Sequence, residues 1–145
     1  MSLPTPETGL VIHYAYLWRS EADRGEEDGR KDRPCAVVVA RRVGSGGAIE
    51  VMVAPITHSE PTEIAAAIEI PHGVKQRLGL DDARSWIITA ELNVFPWPGP
   101  DLRPVPKADH RFAYGHLPKR LADEVVKSVI AHMRRGDMKA VWRTE

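Results

Sequence analysis

The chain has 145 residues and a mass of 16.1 kDa, which supports one domain, or at most a domain with a tail. Apolar residues make up 43% and charged residues 28%, ordinary values for a soluble globular protein. The lone cysteine, Cys35, excludes an internal disulfide framework and a multi-cysteine zinc site. Twenty Lys and Arg against twenty Asp and Glu leave no net charge, which argues against holding long nucleic acid by bulk attraction and leaves room only for a local anion site.

Residues 1 to 8 carry two prolines, a glutamate and no apolar run, so no secretory leader is expected. The longest apolar stretch, residues 10 to 18, is interrupted by His13 and is too short to span a bilayer. With a single cysteine this fits a reducing, cytoplasmic setting and no membrane association. Charge is unevenly spread: from residue 103 onward there are ten Lys or Arg and five Asp or Glu, the pattern of a solvated basic helix face.

Residues 10 to 18, rich in Val, Ile and Tyr, predict a first strand. Residues 19 to 32 contain Gly25, Gly29 and charges of both signs, the composition of a mobile loop. Cys35-Ala36-Val37-Val38-Val39-Ala40 is apolar at every position and predicts a central strand buried on both faces. Gly44-Ser45-Gly46-Gly47 marks a turn, and residues 49 to 56 return as the second arm of a hairpin. Pro55 cannot donate to a ladder, which predicts an edge or a bulge at that end of the strand. Residues 57 to 62 read as a turn, 65 to 70 as a short strand closed by Pro71, 73 to 80 as one helical turn and 85 to 93 as a further strand, with Trp86 in the core. Five of the twelve prolines fall between Phe95 and Pro106, which excludes regular structure there. Residues 111 to 114 add a short strand.

Pro118 opens the one long helix. Ala122, Val125, Val126, Val129, Ile130 and Met133 recur at helical spacing as one apolar stripe, and Gly136 suits the position beyond the last turn. Five or six short strands followed by one helix describe a mainly β fold with a C-terminal helix, either a small barrel or a sandwich. No internal repeat is visible.

Most chemical signatures are missing. The six histidines, His13, His58, His72, His110, His116 and His132, show no metal-ligand spacing, and no cofactor motif is present. The acidic run Glu26-Glu27-Asp28 lacks the periodicity of a calcium loop. Two places stand out physically. Arg33 precedes Pro34, and a residue before proline is held extended, which preorganises a guanidinium fork for a phosphate. Thr57, His58 and Ser59 follow Pro55 at a strand end, where hydroxyl and imidazole groups can donate to an anion. The plainer readings are a surface ion pair for Arg33 and a turn that satisfies its own backbone at Thr57 and Ser59. Trp18 and Trp97 flank loops, where they either anchor the loop or stack on bases.

Taken together, Gly29-Arg30-Lys31-Asp32-Arg33-Pro34 leading into the Cys35 to Val39 strand, and the return through Val51-Met52-Val53-Ala54-Pro55-Ile56-Thr57, give the chain its most specific pattern. With a preceding strand and the helix over residues 118 to 135, it resembles the MazF/PemK family of toxins, the endoribonuclease partners of toxin–antitoxin pairs. The resemblance covers residues 9 to 136 of a single domain over 1 to 145, with residues 95 to 110 as a proline-rich insertion. It implies an SH3-like small barrel, a homodimer, single-stranded RNA as substrate, a small antitoxin as partner, and no metal or other cofactor. The implied chemistry is attack of the ribose 2′-hydroxyl on the adjacent phosphate. By the same resemblance Arg33 and Thr57 are catalytic, and Glu26, Glu27 and Asp32 are candidate general bases; Trp18, Lys31, His58, Ser59 and Trp97 are the residues expected to contact the RNA. The alternative is a non-catalytic SH3-like barrel that binds protein or RNA.

Overall fold

A computed structural model describes residues 3–25, 31–108 and 110–143. The elements run β1 (Leu10–Tyr14), α1 (Arg19–Asp23), β2 (Arg33–Val43), β3 (Ala48–Thr57), a 3-10 turn (Ile64–Ala66), β4 (Ala67–Glu69), α2 (His72–Leu78), β5 (Trp86–Ile88), β6 (Glu91–Pro96), β7 (Leu102–Arg103), β8 (Ala113–His116), α3 (Lys119–Arg135) and β9 (Lys139–Trp142). The fold is mainly β with one long C-terminal helix.

The β2–β3 hairpin is the spine. Residues 44 to 47 turn the chain, and the two arms pair antiparallel from Val43↔Ala48 to Cys35↔Pro55. β1 lies along the free side of β2, with β7 and β8 sharing its outer edge. On the far side of β3, β6 and β5 pair with successive stretches, β9 runs parallel outside β6, and β4 closes the β5 edge. Among the described residues no ladder joins the β1 edge to the β9 or β4 edge, so the sheet is open.

Successive strand residues point to opposite faces, and here both faces are covered. Val11, Ala36, Val38, Ala54 and Ile56 pack on α3 through Leu121, Ala122, Val125 and Val129. Leu10, Ile12, Tyr14, Cys35, Val37, Val51 and Val53 meet Tyr16, Phe95 and Leu102 on the other face. The central strand read from the valine run is therefore correct, and Trp86 is buried as expected.

Several expectations are corrected. The first strand ends at Tyr14 rather than at residue 18. Leu17 instead donates its N–H to Asn93 Oδ1 at 2.9 Å and accepts from Asn93 Nδ2 at 2.8 Å, so a buried side-chain amide replaces the ladder. The start of the expected loop is helical, because Glu21 accepts from the Trp18 N–H at 3.0 Å and Arg19 pairs with Asp23 across one turn. Pro55 is not on an edge strand: it lies where β3 leaves β6 and picks up β5, a gap that asks for no donor.

The strand expected over residues 85 to 93 is split into β5 and β6. Thr89, fully buried, turns aside to donate its N–H to Ala66 and to share a 2.6 Å hydrogen bond with Ser128 of α3. The region between Phe95 and Pro106 holds the end of β6 and all of β7, because Leu102 and Arg103 keep their N–H groups between flanking prolines. α2 has two turns rather than one, and β9 had no expected counterpart.

The apolar stripe of α3 is rotated from the expected one. Leu121, Ala122, Val125, Val129 and His132 face inward, while Ile130 and Met133 are 40% and 44% exposed. His132 can be buried because Asp137 and the Ala65 carbonyl satisfy its two ring nitrogens, each at 2.9 Å. Gly136 ends the helix at φ +76°, a left-handed position that glycine adopts without steric cost.

Candidate functional site

The start of β2 and the end of β3 are adjacent, so Arg33 and Thr57 meet at one end of the sheet. They line an open cleft of about 550 Å³ together with Trp18, Lys31, Asp32, Pro34, Ile56 and the turn from His58 to Pro61. Leu80, Asp81, Ser85 and Ile88 complete the lining. Of the residues singled out from the sequence, Trp18, Lys31, Asp32, Arg33, Thr57, His58 and Ser59 are thus brought together.

Arg33 is half-buried and held by two contacts. Its guanidinium carbon lies 5.0 Å from the centre of the Trp18 ring, within cation–π range. Its Nη1 donates a long hydrogen bond of 3.5 Å to the Ile56 carbonyl. Its Nε is buried with no hydrogen-bond partner. Trp18 in turn meets Tyr16 edge-on at 5.1 Å. The indole therefore buttresses the guanidinium.

Thr57 Oγ1 accepts the Ser59 N–H at 3.1 Å, the local turn expected of these residues. That bond uses an oxygen lone pair and leaves the hydroxyl proton available for donation into the cleft. Lys31 and Asp32 are exposed at the rim, and Asp32 lies 3.8 Å from Arg103.

Beside them lie groups that the sequence pattern did not single out. Lys75 is only 2% exposed, and its ammonium donates to Asp81 Oδ1 at 2.8 Å, to Ser85 Oγ at 2.7 Å and to the Ala83 carbonyl. Asp81 Oδ2 then forms an ion-pair contact with His58 Nε2 at 2.7 Å. The Lys75 hydrogen bond above all, with the Lys75 charge and the Ala83 N–H, holds the Asp81 carboxyl below its ordinary range despite some opposing burial. One signal points to these groups: a lysine on the inward side of a short helix must find an anion.

Two expectations fall elsewhere. Trp97 does not reach the cleft; it packs beside Phe95, ring centres 6.2 Å apart, on the opposite core. Glu26 and Glu27 lie outside the described residues, so only Asp32 of the three candidate bases can be placed. Glu21, which was not singled out, is buried and lines a smaller hollow behind Arg33 with Tyr16, Trp18 and Lys31. Cys35 lies fully buried two residues beyond Arg33, and burial pushes its thiol far above the ordinary range, away from thiolate chemistry.

Among the described residues no three His, Cys, Asp or Glu side chains are grouped to hold a metal ion. No described helix is long and apolar enough to cross a membrane. No family model matches the chain, and no curated protein or solved structure does.

Proposed function

We propose that this chain is a metal-independent endoribonuclease toxin of the MazF/PemK kind, cleaving single-stranded RNA by 2′-hydroxyl attack. Its open sheet corresponds in this reading to an SH3-like small barrel, the active form is a cytoplasmic homodimer, and a small antitoxin neutralises it. The observation that carries the reading is the meeting of a buttressed guanidinium and a free hydroxyl donor, Arg33 and Thr57, in one cleft. The cleft volume of about 550 Å³ falls in the range of sites that enclose a small ligand.

Each residue has a physical part. Negative charge grows on the phosphoryl oxygens as the 2′-oxygen attacks. Arg33 offers a delocalised positive charge and several fixed donors to those oxygens, already oriented by Trp18 and by Pro34. Thr57 adds a neutral donor beside it. Lys31 at the rim attracts the neighbouring phosphate, while Ile88 and Leu80 give the nucleobase an apolar surface.

The test is incubation of the purified chain with a broad pool of single-stranded RNA in EDTA, with both new ends mapped. The expected products are a 2′,3′-cyclic phosphate and a 5′-hydroxyl. Light scattering should give a dimer, and expression should arrest growth unless a neighbouring small gene is co-expressed. RNA that is bound but never cut would replace this reading with the non-catalytic binding module. Cleavage that requires added magnesium or manganese would overturn metal independence.

A further inference from the structure

We propose that His58 is the base that takes the 2′-hydroxyl proton in this cleft, held in place by Asp81 and through it by the buried Lys75. This rests on the endoribonuclease reading and supplies what Arg33 and Thr57 lack, since guanidinium is a very poor base and threonine is none.

Lys75 sets the geometry. An ammonium exposed by only 2% must be fully satisfied. Its three protons meet three acceptors, Asp81 Oδ1, Ser85 Oγ and the Ala83 carbonyl. The same Asp81 Oδ1 also accepts the Ala83 N–H at 3.2 Å. One oxygen of Asp81 is thus fixed to the protein, and the other, Oδ2, is left facing His58 Nε2 at 2.7 Å.

At this ion-pair distance a lone pair on Nε2 would face the carboxylate and be repelled. The neutral His58 ring therefore keeps its proton on Nε2, and Nδ1 carries the lone pair. Nδ1 has no hydrogen-bond partner among the described residues. His58 lines the same cleft as Arg33 and Thr57, so its ring shares the space of the proposed phosphate donors. The other carboxylates near Arg33 are otherwise engaged: Asp32 lies against Arg103, and Glu21 accepts the Trp18 N–H.

In the step proposed, the 2′-oxygen bonds to phosphorus and its proton passes to His58 Nδ1. The bond from phosphorus to the 5′-oxygen breaks, and that oxygen takes a proton from water. The imidazolium formed is stabilised by Asp81 and later returns its proton to solvent. Asp81 and Lys75 touch no reacting atom and act by position.

The experiment is single-turnover cleavage of RNA by the full chain, with thermal melting run on every variant. His58→Ala should melt as the wild type does and cleave about 10²–10⁴-fold more slowly, with part of the rate restored by added imidazole. Its defect should persist on RNA carrying a bridging 5′-sulfur, a leaving group that needs no acid. Asp81→Asn should slow cleavage less, and nitrogen-15 spectra should show it losing the fixed Nε2–H form of His58. A wild-type chain that cuts no RNA sinks the endoribonuclease reading, and this proposal with it. An active wild type with an equally active His58→Ala overturns this proposal alone. So does a slow His58→Ala that imidazole fails to rescue, or one whose defect vanishes on the 5′-sulfur substrate.

Discussion

The Arg143 guanidinium and the Asp101 carboxylate pair at 3.1 Å with only 3% and 11% of their side chains exposed. Arg143 follows β9, and it also donates to the Ala15 carbonyl at 2.8 Å and to Asn93 Oδ1 at 3.1 Å. One side chain thus ties the β6–β9 side of the open sheet to the end of β1 and to the approach to β7. Removing one partner of a buried pair strands the other charge, so Arg143→Met should lose about 3–5 kcal/mol of stability. The exposed pair of Arg41 and Glu50, also close at 2.8 Å, is the control: Arg41→Ala should lose about 0–1 kcal/mol. Urea unfolding measures both, and equal losses would remove Arg143 as a clasp.

His13 predicts a pH dependence. His13 is 8% exposed, and its Nδ1 shares a 2.8 Å hydrogen bond with the Tyr114 hydroxyl. Burial above all lowers its pKa from the ordinary 6.5, with Asp32 opposing and Arg103 adding to the shift. The unfolded chain therefore takes up this proton first as pH falls. The contribution to stability is complete above about 6.5 and is lost as pH drops toward the lowered folded value. His13→Asn keeps an acceptor near the Tyr114 hydroxyl without titrating. Its melting temperature should change less than that of the wild type between about pH 7 and pH 5, and parallel curves would sink the assignment.

Local patterns made the frame legible. The run from Cys35 to Val39 is apolar on both faces, and the glycines between Gly44 and Gly47 mark a turn, so the hairpin that positions Arg33 and Thr57 follows from periodicity. What stayed hidden depends on contacts distant in sequence. Asn93 ends β1 through a partner far along the chain, and Thr89 splits a strand because Ser128 is there to meet it. β9 is four residues long, too short for any period to show. The site divides in the same way. Its Arg33 and Thr57 half lies on the hairpin, whereas the His58, Asp81 and Lys75 half needs a β-turn and a helix to be folded against each other first.

The proline-rich stretch should behave as an ordered part of the domain. Phe95 stacks on Tyr14 with ring centres 4.6 Å apart, Trp97 donates its N–H to Ile49 at 2.9 Å, and Leu102 pairs with Tyr14 in the ladder. Asp101 is buried beside Arg143. Thermolysin, which cuts before large apolar residues, should therefore leave the bond preceding Leu102 intact in the native protein. Trp97→Ala removes a half-buried ring and should cost about 1–3 kcal/mol, below the range for a fully buried one. It should also open that bond to cleavage. Rapid native-state cutting before Leu102 in the wild type would show the stretch to be a free linker.

Arg33 gives the sharpest test of the cleft. Its contacts within the protein are modest, a long 3.5 Å hydrogen bond and a ring contact to Trp18. Arg33→Ala should therefore cost only about 1 kcal/mol of stability. If the guanidinium clamps the phosphoryl oxygens as charge develops on them, the same change should slow cleavage about 10²–10³-fold. Arg33→Lys keeps the charge but loses the planar fork that Trp18 supports, so it should restore only part of the rate. Thr57→Val removes a neutral donor and no charge, and should slow cleavage less than Arg33→Ala does. Trp18→Leu leaves Arg33 in place without its aromatic support and should fall between wild type and Arg33→Ala. Single-turnover rates on a short RNA, with melting curves alongside, read all four. Wild-type cleavage by Arg33→Ala would take the guanidinium out of the mechanism, whereas a lost rate with an unchanged fold would assign its charge to the transition state.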